Sequence, residues 1–172
     1  SHWFIETMER GGKIVVISPE YGPPSTKADY WIPIRPQTDA ALWLGVTRLM
    51  MEKNWYDEEF VKGFTDFPLL VRKDTLKRLR AHELFKDYKT TLALDGPSMR
   101  IQGFKPEQHA LLGDYVVWDR TAKAPRAVTR DDLGGRMKAK GIDPALDGEF
   151  TLKLADGRMV QVATLWTLYR KH

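Results

Sequence analysis

The sequence contains no cysteine. Disulfides, thiol catalysis and any iron–sulfur cluster held by thiolates of this segment are thereby excluded, while the compartment stays open. Long apolar runs are missing as well: nothing approaches the roughly 18 residues that a membrane-spanning helix needs. No charged leader followed by an apolar stretch opens the chain, so no signal peptide is expected. The four histidines, His2, His82, His109 and His172, lack ligand spacing such as i, i+4, and each reads as an ordinary surface or core side chain. No Walker loop occurs, and Gly11-Gly12 is too little for a dinucleotide fingerprint. Charge of one sign is not concentrated either. The formal net charge is +4 and the pI about 9.2, yet the densest basic stretch, Arg72 to Arg80, still contains Asp74. A nucleic-acid surface would gather its basic residues on one face or stripe.

Large apolar bodies are plentiful. Hydrophobic residues make up 42% of 172, with six Trp, six Tyr and seven Phe. A chain of this size and composition can bury a core, and the composition argues against intrinsic disorder.

From His2 to Arg10 the apolar spacing is helical, and Gly11-Gly12 ends that helix, since glycine takes the left-handed cap without steric cost. Lys13 to Ile17 is a short continuous run of largely β-branched residues, the pattern of a strand buried on both faces of a parallel sheet. Helix, Gly-Gly and buried strand make half of an α/β unit, and no strand precedes it, which suggests residues upstream. Ser18 to Thr38 carries Pro19, Pro23, Pro24, Pro33 and Pro36. It is expected as loop with short extended pieces, such as Tyr30 to Ile34, because proline neither donates to a ladder nor continues a helix. Asp39 to Asn54 is the clearest helix, with Leu42, Val46 and Leu49 on one stripe. Further helices are expected over Asp57 to Phe64 and Asp74 to Phe85. Tyr115 to Trp118 and Ala127 to Thr129 suit a hairpin across the loop Arg120 to Arg126. Phe150 to Leu154 and Met159 to Ala163 suit another, turned at Asp156-Gly157. Thr164 to His172 reads as a helix cut short. The expected class is α/β: a partial Rossmann-like parallel sheet with helices over residues 1–55, then a mixed α+β extension over 56–172.

Most candidate chemistry has an ordinary explanation. Glu58-Glu59 and Asp131-Asp132 sit at expected helix starts, where a carboxylate complements the dipole. Gly96, Gly134-Gly135 and Gly157 look like turn glycines. One region differs. Ser18-Pro19-Glu20-Tyr21 follows the carboxyl end of a buried strand, where open α/β sheets place their ligand crevice. Glu20 is placed there to accept hydrogen bonds from ribose hydroxyls. Arg35 to Asp39 then leads into the strong helix, whose start offers free N–H groups. The two oxygens of Asp39 match the two donors on the edge of guanine. Thr38 and Asp39 equally suit helix capping, and both readings stand on the residues alone.

The run GGKIVVISPEYGPPSTKADYWIPIRPQTDAALWLGVTRLMM, from Gly11 onward, resembles the guanine dinucleotide-binding stretch of molybdopterin oxidoreductases, the dimethyl sulfoxide reductase superfamily. The common pattern there is a strand, Asp-Pro-Arg or a variant, Ala-Asp, and then Pro-Gly-Thr-Asp-Ala-Ala opening a helix. Ser18-Pro19-Glu20, Ala28-Asp29 and Pro36-Gln37-Thr38-Asp39-Ala40-Ala41 fill those places in order. Ser18 stands for the usual Asp and Gln37 for the usual Gly, so a positive φ is less freely available at residue 37. Phe64 to Arg72 and the stretch LKLADGRMVQVATLWTLY are similar to catalytic subunits of respiratory nitrate reductases. SPEYGPPSTKADYWIP and GDYVVWD look most like nitrite oxidoreductase.

The resemblance implies a fragment of a catalytic alpha subunit whose parent interconverts nitrite and nitrate by oxygen-atom transfer. The cofactor implied is bis(molybdopterin guanine dinucleotide) molybdenum, with an iron–sulfur cluster in the parent that this segment does not ligate. Cofactor binding carries over to Ser18, Pro19, Glu20, Tyr21, Gln37, Thr38 and Asp39; no catalytic and no metal residue carries over, and the isolated fragment is expected to be inactive. Implied partners are an iron–sulfur electron-transfer subunit and a membrane haem subunit, with a peripheral place on the cytoplasmic face of the membrane or, alternatively, the periplasmic face. The competing readings are a perchlorate, chlorate or selenate reductase fragment and a stand-alone α/β binding module.

Overall fold

The computed structural model describes residues 2–89, 114–129, 132 and 135–171, and these divide into two compact units, Ser1–Lys53 and Asn54–His172. Gly96, His109, Asp131, Gly134 and His172, singled out above, lie outside the described residues.

In the first unit, helix α1 (His2–Glu9) stops at the glycine pair. Gly11 takes φ +78°, and the N–H groups of Gly11 and Gly12 donate to the carbonyls of Met8 and Thr7 at 2.9 and 2.8 Å. This double bond pattern satisfies carbonyls that the helix end would otherwise orphan. Strand β1 (Val15–Ile17) follows, then a 3-10 turn over Pro23–Lys27, strand β2 (Tyr30–Ile32) and helix α2 (Asp39–Lys53). The 3-10 turn departs from the expected loop. Its two prolines occupy the first helical positions, where a missing N–H costs nothing. Asn54 ends α2 at φ +54°, a left-handed conformation that asparagine tolerates.

β1 and β2 pair in parallel, Val15 opposite Tyr30 and Ile17 opposite Ile32. The expected burial of β1 on both faces is not found. Val15 is 51% exposed, and among the described residues of this unit only Ile14, Ser25 and Met51 are buried. The stripe of α2 is likewise open, with Val46 and Leu49 exposed. Parallel strands are buried when other layers cover both faces, and two three-residue strands offer too little surface to bury a neighbour.

The second unit opens with helix α3 (Glu58–Phe64), capped by Asp57, whose carboxylate accepts the Phe60 N–H at 2.9 Å. Glu58 and Glu59 occupy its first turn, as expected. The helix expected over 74–85 is mostly replaced. Strand β3 (Leu70–Arg72) turns back on itself: the Leu79 N–H donates to Leu70 O at 2.7 Å and the Arg72 N–H to Lys77 O at 2.9 Å. Leu76 turns that corner at φ +55°. Only α4 (Ala81–Leu84) is helical. Pairing of Leu70 and Val71 in a sheet outweighs the helical spacing of the residues after them, which is a weak preference.

Strands β4 (Tyr115–Asp119) and β5 (Ala124–Val128) form the first hairpin, one residue longer in β4 and three residues earlier in β5 than expected. After helix α5 (Gly135–Ala139), β6 (Glu149–Lys153) and β7 (Met159–Thr164) form the second. Gly157 turns it at φ +89°. Helix α6 (Leu165–Lys171) follows, started by Thr164, whose hydroxyl accepts the Thr167 N–H at 3.2 Å. The sheet order is β3-β7-β6 with both junctions antiparallel. The fold is therefore α/β: a parallel pair with helices, then helices with antiparallel sheets.

β4 sits between two cores because successive side chains of a strand point to opposite faces. Val116 joins Leu70, Leu79, Leu152 and Val162, while Val117 joins Val128, Met137 and Ile142. At its end the buried Asp119 carboxylate accepts the N–H groups of Thr121 and Asp143 at 3.0 and 3.2 Å. Trp118 stacks on Phe150 with ring centroids 4.1 Å apart and 11° between planes.

Gly148 adopts φ +151°, and an added Cβ would lie 2.5 Å from Phe150 Cζ. Gly148→Ala therefore pushes the Phe150 ring off Trp118 and destabilises the second unit by about 1–3 kcal/mol, measurable by urea unfolding followed through tryptophan fluorescence. Glu149 is held by Lys171 and Lys73, which lower its carboxyl from 4.5 to about 2. Its contribution is present above pH 4.5 and is lost as pH falls through about 2. Glu149→Gln flattens the acid arm of the stability profile between those two values, read from thermal melts across that range.

Candidate functional site

The parallel register places the carboxyl ends of β1 and β2 side by side, at Ile17 and Ile32. The chain thus leaves both strands at the same edge of the pair: first as Ser18 to Tyr21, later as Pro33 to Thr38 on the way into α2. Six of the seven residues singled out in the sequence belong to these two departures, and the seventh, Asp39, opens α2.

The first loop is braced by its own side chains. The Ser18 hydroxyl donates to Glu20 O at 2.7 Å and accepts the Trp31 indole N–H at 3.1 Å. The Ser18 N–H donates to Ile32 O at 3.2 Å, extending the parallel ladder by one bond. Tyr21 meets the edge of Trp31 with centroids 5.2 Å apart. Ser18 is half-buried, whereas Pro19, Glu20 and Tyr21 are exposed.

The second approach is a tight turn. The Thr38 N–H and hydroxyl both donate to Arg35 O, at 3.2 and 2.6 Å. Pro36 and Gln37 are the two central residues, and Gln37 takes φ +68°. Proline first and a positive φ second are the marks of a type II turn, which favours glycine at the second place. Gln37 therefore adopts the conformation that the sequence reading considered hard for it. Thr38 closes the turn, and its carbonyl accepts the Leu42 N–H at 3.1 Å. Its hydroxyl is directed backward and does not serve as the expected side-chain cap. Asp39 lies in the first turn of α2, and its carboxylate makes no hydrogen bond or ion pair among the described residues.

The residue that ties the two strands together is Asp29. Its carboxylate accepts the Ile14 N–H at 2.9 Å and the Lys13 ammonium at 2.7 Å, and its own N–H donates to Ile14 O at 2.9 Å. The Lys13 hydrogen bond, then the Ile14 N–H, hold its carboxyl below the usual 3.8. Sequence reasoning recorded Asp29 only as part of a pattern and missed this clamp. An Asp directly before a short β-type run, with a Lys at the start of another, was the available signal.

A family model described as molybdopterin oxidoreductase matches residues 3–146. The chain belongs to that family. Respiratory nitrate reductase subunit alpha of Haloferax mediterranei is 34% identical over 172 residues, covering 98% of this chain and 16% of that protein. Perchlorate reductase subunit alpha of Dechloromonas aromatica is 30% identical over 178 residues, covering 99% of this chain and 18% of its own. Dopamine dehydroxylase of Eggerthella lenta is 26% identical, covering 96% and 21%. The chain thus spans about a sixth to a fifth of the length of these curated relatives.

Membership in the family implies a molybdenum–pterin cofactor. Acceptors fit the polar, organic portion of such a group: the carboxylates of Glu20 and Asp39 are exposed and without partners among the described residues. Donors are present too, in the first-turn N–H groups of the 15-residue α2. Among the described residues no three His, Asp or Glu side chains converge as a metal-binding group, and no helix is long and apolar enough to cross a membrane.

Gln37→Gly removes the left-handed strain, which costs an ordinary residue roughly 1–2 kcal/mol. Part of that gain is lost to the greater freedom of glycine in the unfolded chain. The expected net stabilisation is about 0.5–1 kcal/mol, read as a higher urea midpoint.

Proposed function

We propose that this chain is part of the catalytic subunit of a molybdenum oxidoreductase that interconverts nitrite and nitrate, and that its first unit holds the guanosine end of a molybdopterin guanine dinucleotide. The observation that carries this reading is the convergence of two polar loops at one edge of a parallel pair, with Asp39 unpartnered at the start of α2. The match of Pro36 to Ala41 with the dinucleotide-binding pattern supports it, as does the identity to a respiratory nitrate reductase alpha subunit.

In this reading Asp39 accepts the two donors on the guanine edge, the paired geometry a carboxylate offers best. The N–H groups opening α2 face the polar edge of the base. Glu20 accepts from ribose hydroxyls, and the Ser18 turn, braced by Trp31, sets the height at which Pro19 to Tyr21 cross the ligand. Gln37 and Thr38 fix the direction from which α2 approaches. When bound, the cofactor supplies oxygen-atom transfer at molybdenum, exchanging nitrite plus water with nitrate, two protons and two electrons. In this reading the side chains named here bind and orient the cofactor. An iron–sulfur cluster of the parent, ligated outside this segment, would supply the path for electrons toward an iron–sulfur subunit, with a membrane haem subunit as a further candidate partner. The complex in this proposal is peripheral at the cytoplasmic face of the membrane or, alternatively, at the periplasmic face.

A second reading is an oxyanion reductase for perchlorate, favoured by 30% identity to a perchlorate reductase alpha subunit over nearly the whole chain. Assaying the parent enzyme with nitrite, nitrate and perchlorate separates the two.

The binding reading is tested in the full-length parent subunit by molybdenum content and by GMP released on acid hydrolysis. Loss of a hydrogen-bonded charge costs about 1.5–3 kcal/mol, so Asp39→Ala is expected to lose roughly tenfold or more in cofactor retention. Asp39→Asn, keeping one acceptor, loses less. Full retention in both variants would reduce Asp39 to a charge that complements the helix dipole.

A further inference from the structure

Two side chains at β2 reach across to β1 at opposite ends. Asp29, directly before β2, and Trp31 within it are two positions apart, so both project to one face of the pair. The register sets Val16 opposite Trp31, and Ile14 and Ser18 share that face, two positions to either side of Val16. At the entry to β1, Asp29 Oδ2 accepts the Ile14 N–H at 2.9 Å and Oδ1 accepts the Lys13 ammonium at 2.7 Å. At its exit the Trp31 indole N–H donates to the Ser18 hydroxyl at 3.1 Å. That hydroxyl passes its own hydrogen on to Glu20 O at 2.7 Å. The first strand is thus fastened at both ends by alternate residues of the second.

Bonding capacity separates the groups that hold the loop from the group left for a ligand. Both Asp29 oxygens are engaged, the single indole donor of Trp31 is spent, and the Ser18 hydroxyl has given its one hydrogen to the backbone. The Glu20 carboxylate, by contrast, is exposed and makes no hydrogen bond or ion pair among the described residues. A line of contacts therefore runs from Lys13 and Ile14 through β2 to the backbone of the residue whose carboxylate is open. We propose that Asp29 and Trp31 are positioning residues for the guanosine site. Neither touches the nucleotide; together they hold Glu20 where it and Asp39 engage one guanosine at the same time. The proposal rests on the reading of the two loops as that site. A loop already held in its bound shape gives up little freedom when the ligand arrives, which raises affinity without adding a contact. Two strands of three residues each are too short to supply that rigidity through their ladder alone. Ser18 acts with them, its hydroxyl hydrogen bracing the loop and leaving Glu20 to meet the ribose.

The test measures GMP released by acid hydrolysis from the full-length parent subunit after exhaustive dialysis, with iron content and circular dichroism recorded for each variant. Asp29→Ala is expected to lose about tenfold in retained GMP. Asp29→Asn, whose amide oxygen still accepts the Ile14 N–H, should lose less than about threefold. Trp31→Phe deletes the indole donor, keeps an aromatic ring beside Tyr21, and should lose about threefold to fivefold. A double-mutant cycle decides between positioning and mere stability. In a Glu20→Ala background, Asp29→Ala and Trp31→Phe should each cost no more than about twofold, because the group they position is gone. Losses of equal size in both backgrounds overturn the proposal and leave the two residues as contributors to stability alone. Full retention in Asp29→Ala and Trp31→Phe, while Glu20→Ala and Asp39→Ala lose GMP, overturns it too. If Asp29→Ala fails to fold, Trp31→Phe carries the cycle. Full retention in Glu20→Ala and Asp39→Ala overturns the guanosine reading itself, and this proposal with it.

Discussion

The Asp29 carboxylate holds the first unit in register. It takes the N–H of Ile14 and the ammonium of Lys13 at the entry to β1, while the Asp29 backbone leads straight into β2. The two strands run over only three residues each, so their ladder alone is a weak constraint. With the clamp in place, Ile17 stands opposite Ile32, and the loops after them leave from one edge. A slip of one residue would turn every side chain of β1 to the opposite face. Ser18 would then no longer meet the Trp31 indole, and the bracing of the Pro19 to Tyr21 loop would be gone.

The first unit combines that clamp with very little burial. Trp3, Val15, Trp31, Trp43 and Leu49 are all exposed, an amount of open apolar surface seldom found on a self-sufficient domain. Its local devices are nevertheless fully formed: the Gly11-Gly12 helix stop, the Pro36-Gln37 turn, the proline-started 3-10 turn. Short-range hydrogen bonds shape the site, and burial contributes little to it. The left-handed Gln37 fits this account, since the turn's two bonds into Arg35 O offset a strained backbone.

The second unit is organised the other way. β4 divides two cores with Val116 and Val117, and the buried Asp119 ties its end to the segment before β6 through the Asp143 N–H. Long-range packing dominates: Phe67 and Tyr56 both meet the Trp166 ring across about a hundred positions of sequence. Among the described residues its sheet finishes on β6, where Lys73 and Lys171 hold Glu149.

Much of this was legible from local chemistry in the chain. Glycine pairs, prolines, Asp57 before Glu58-Glu59, the alternation of Phe150 to Leu154 and the Asp156-Gly157 turn each act within a few residues, so composition alone located α1, α2, α3, the β6–β7 hairpin and α6. The order Ser18-Pro19-Glu20, Ala28-Asp29, Pro36 to Ala41 likewise pointed to the family before any geometry was known. Tertiary structure decided the rest. Asp74 to Phe85 carries helical spacing, yet only Ala81–Leu84 is helical, because β7, some ninety residues later, recruits the preceding β3 into a sheet onto which Leu79 folds back. The clamp by Asp29 depends on which groups meet in space, since its partners Lys13 and Ile14 lie about fifteen residues earlier. Turns and caps are settled by the residues that make them; sheet partners, burial and edges are settled by residues far away in sequence, because only the folded chain brings those within hydrogen-bonding reach.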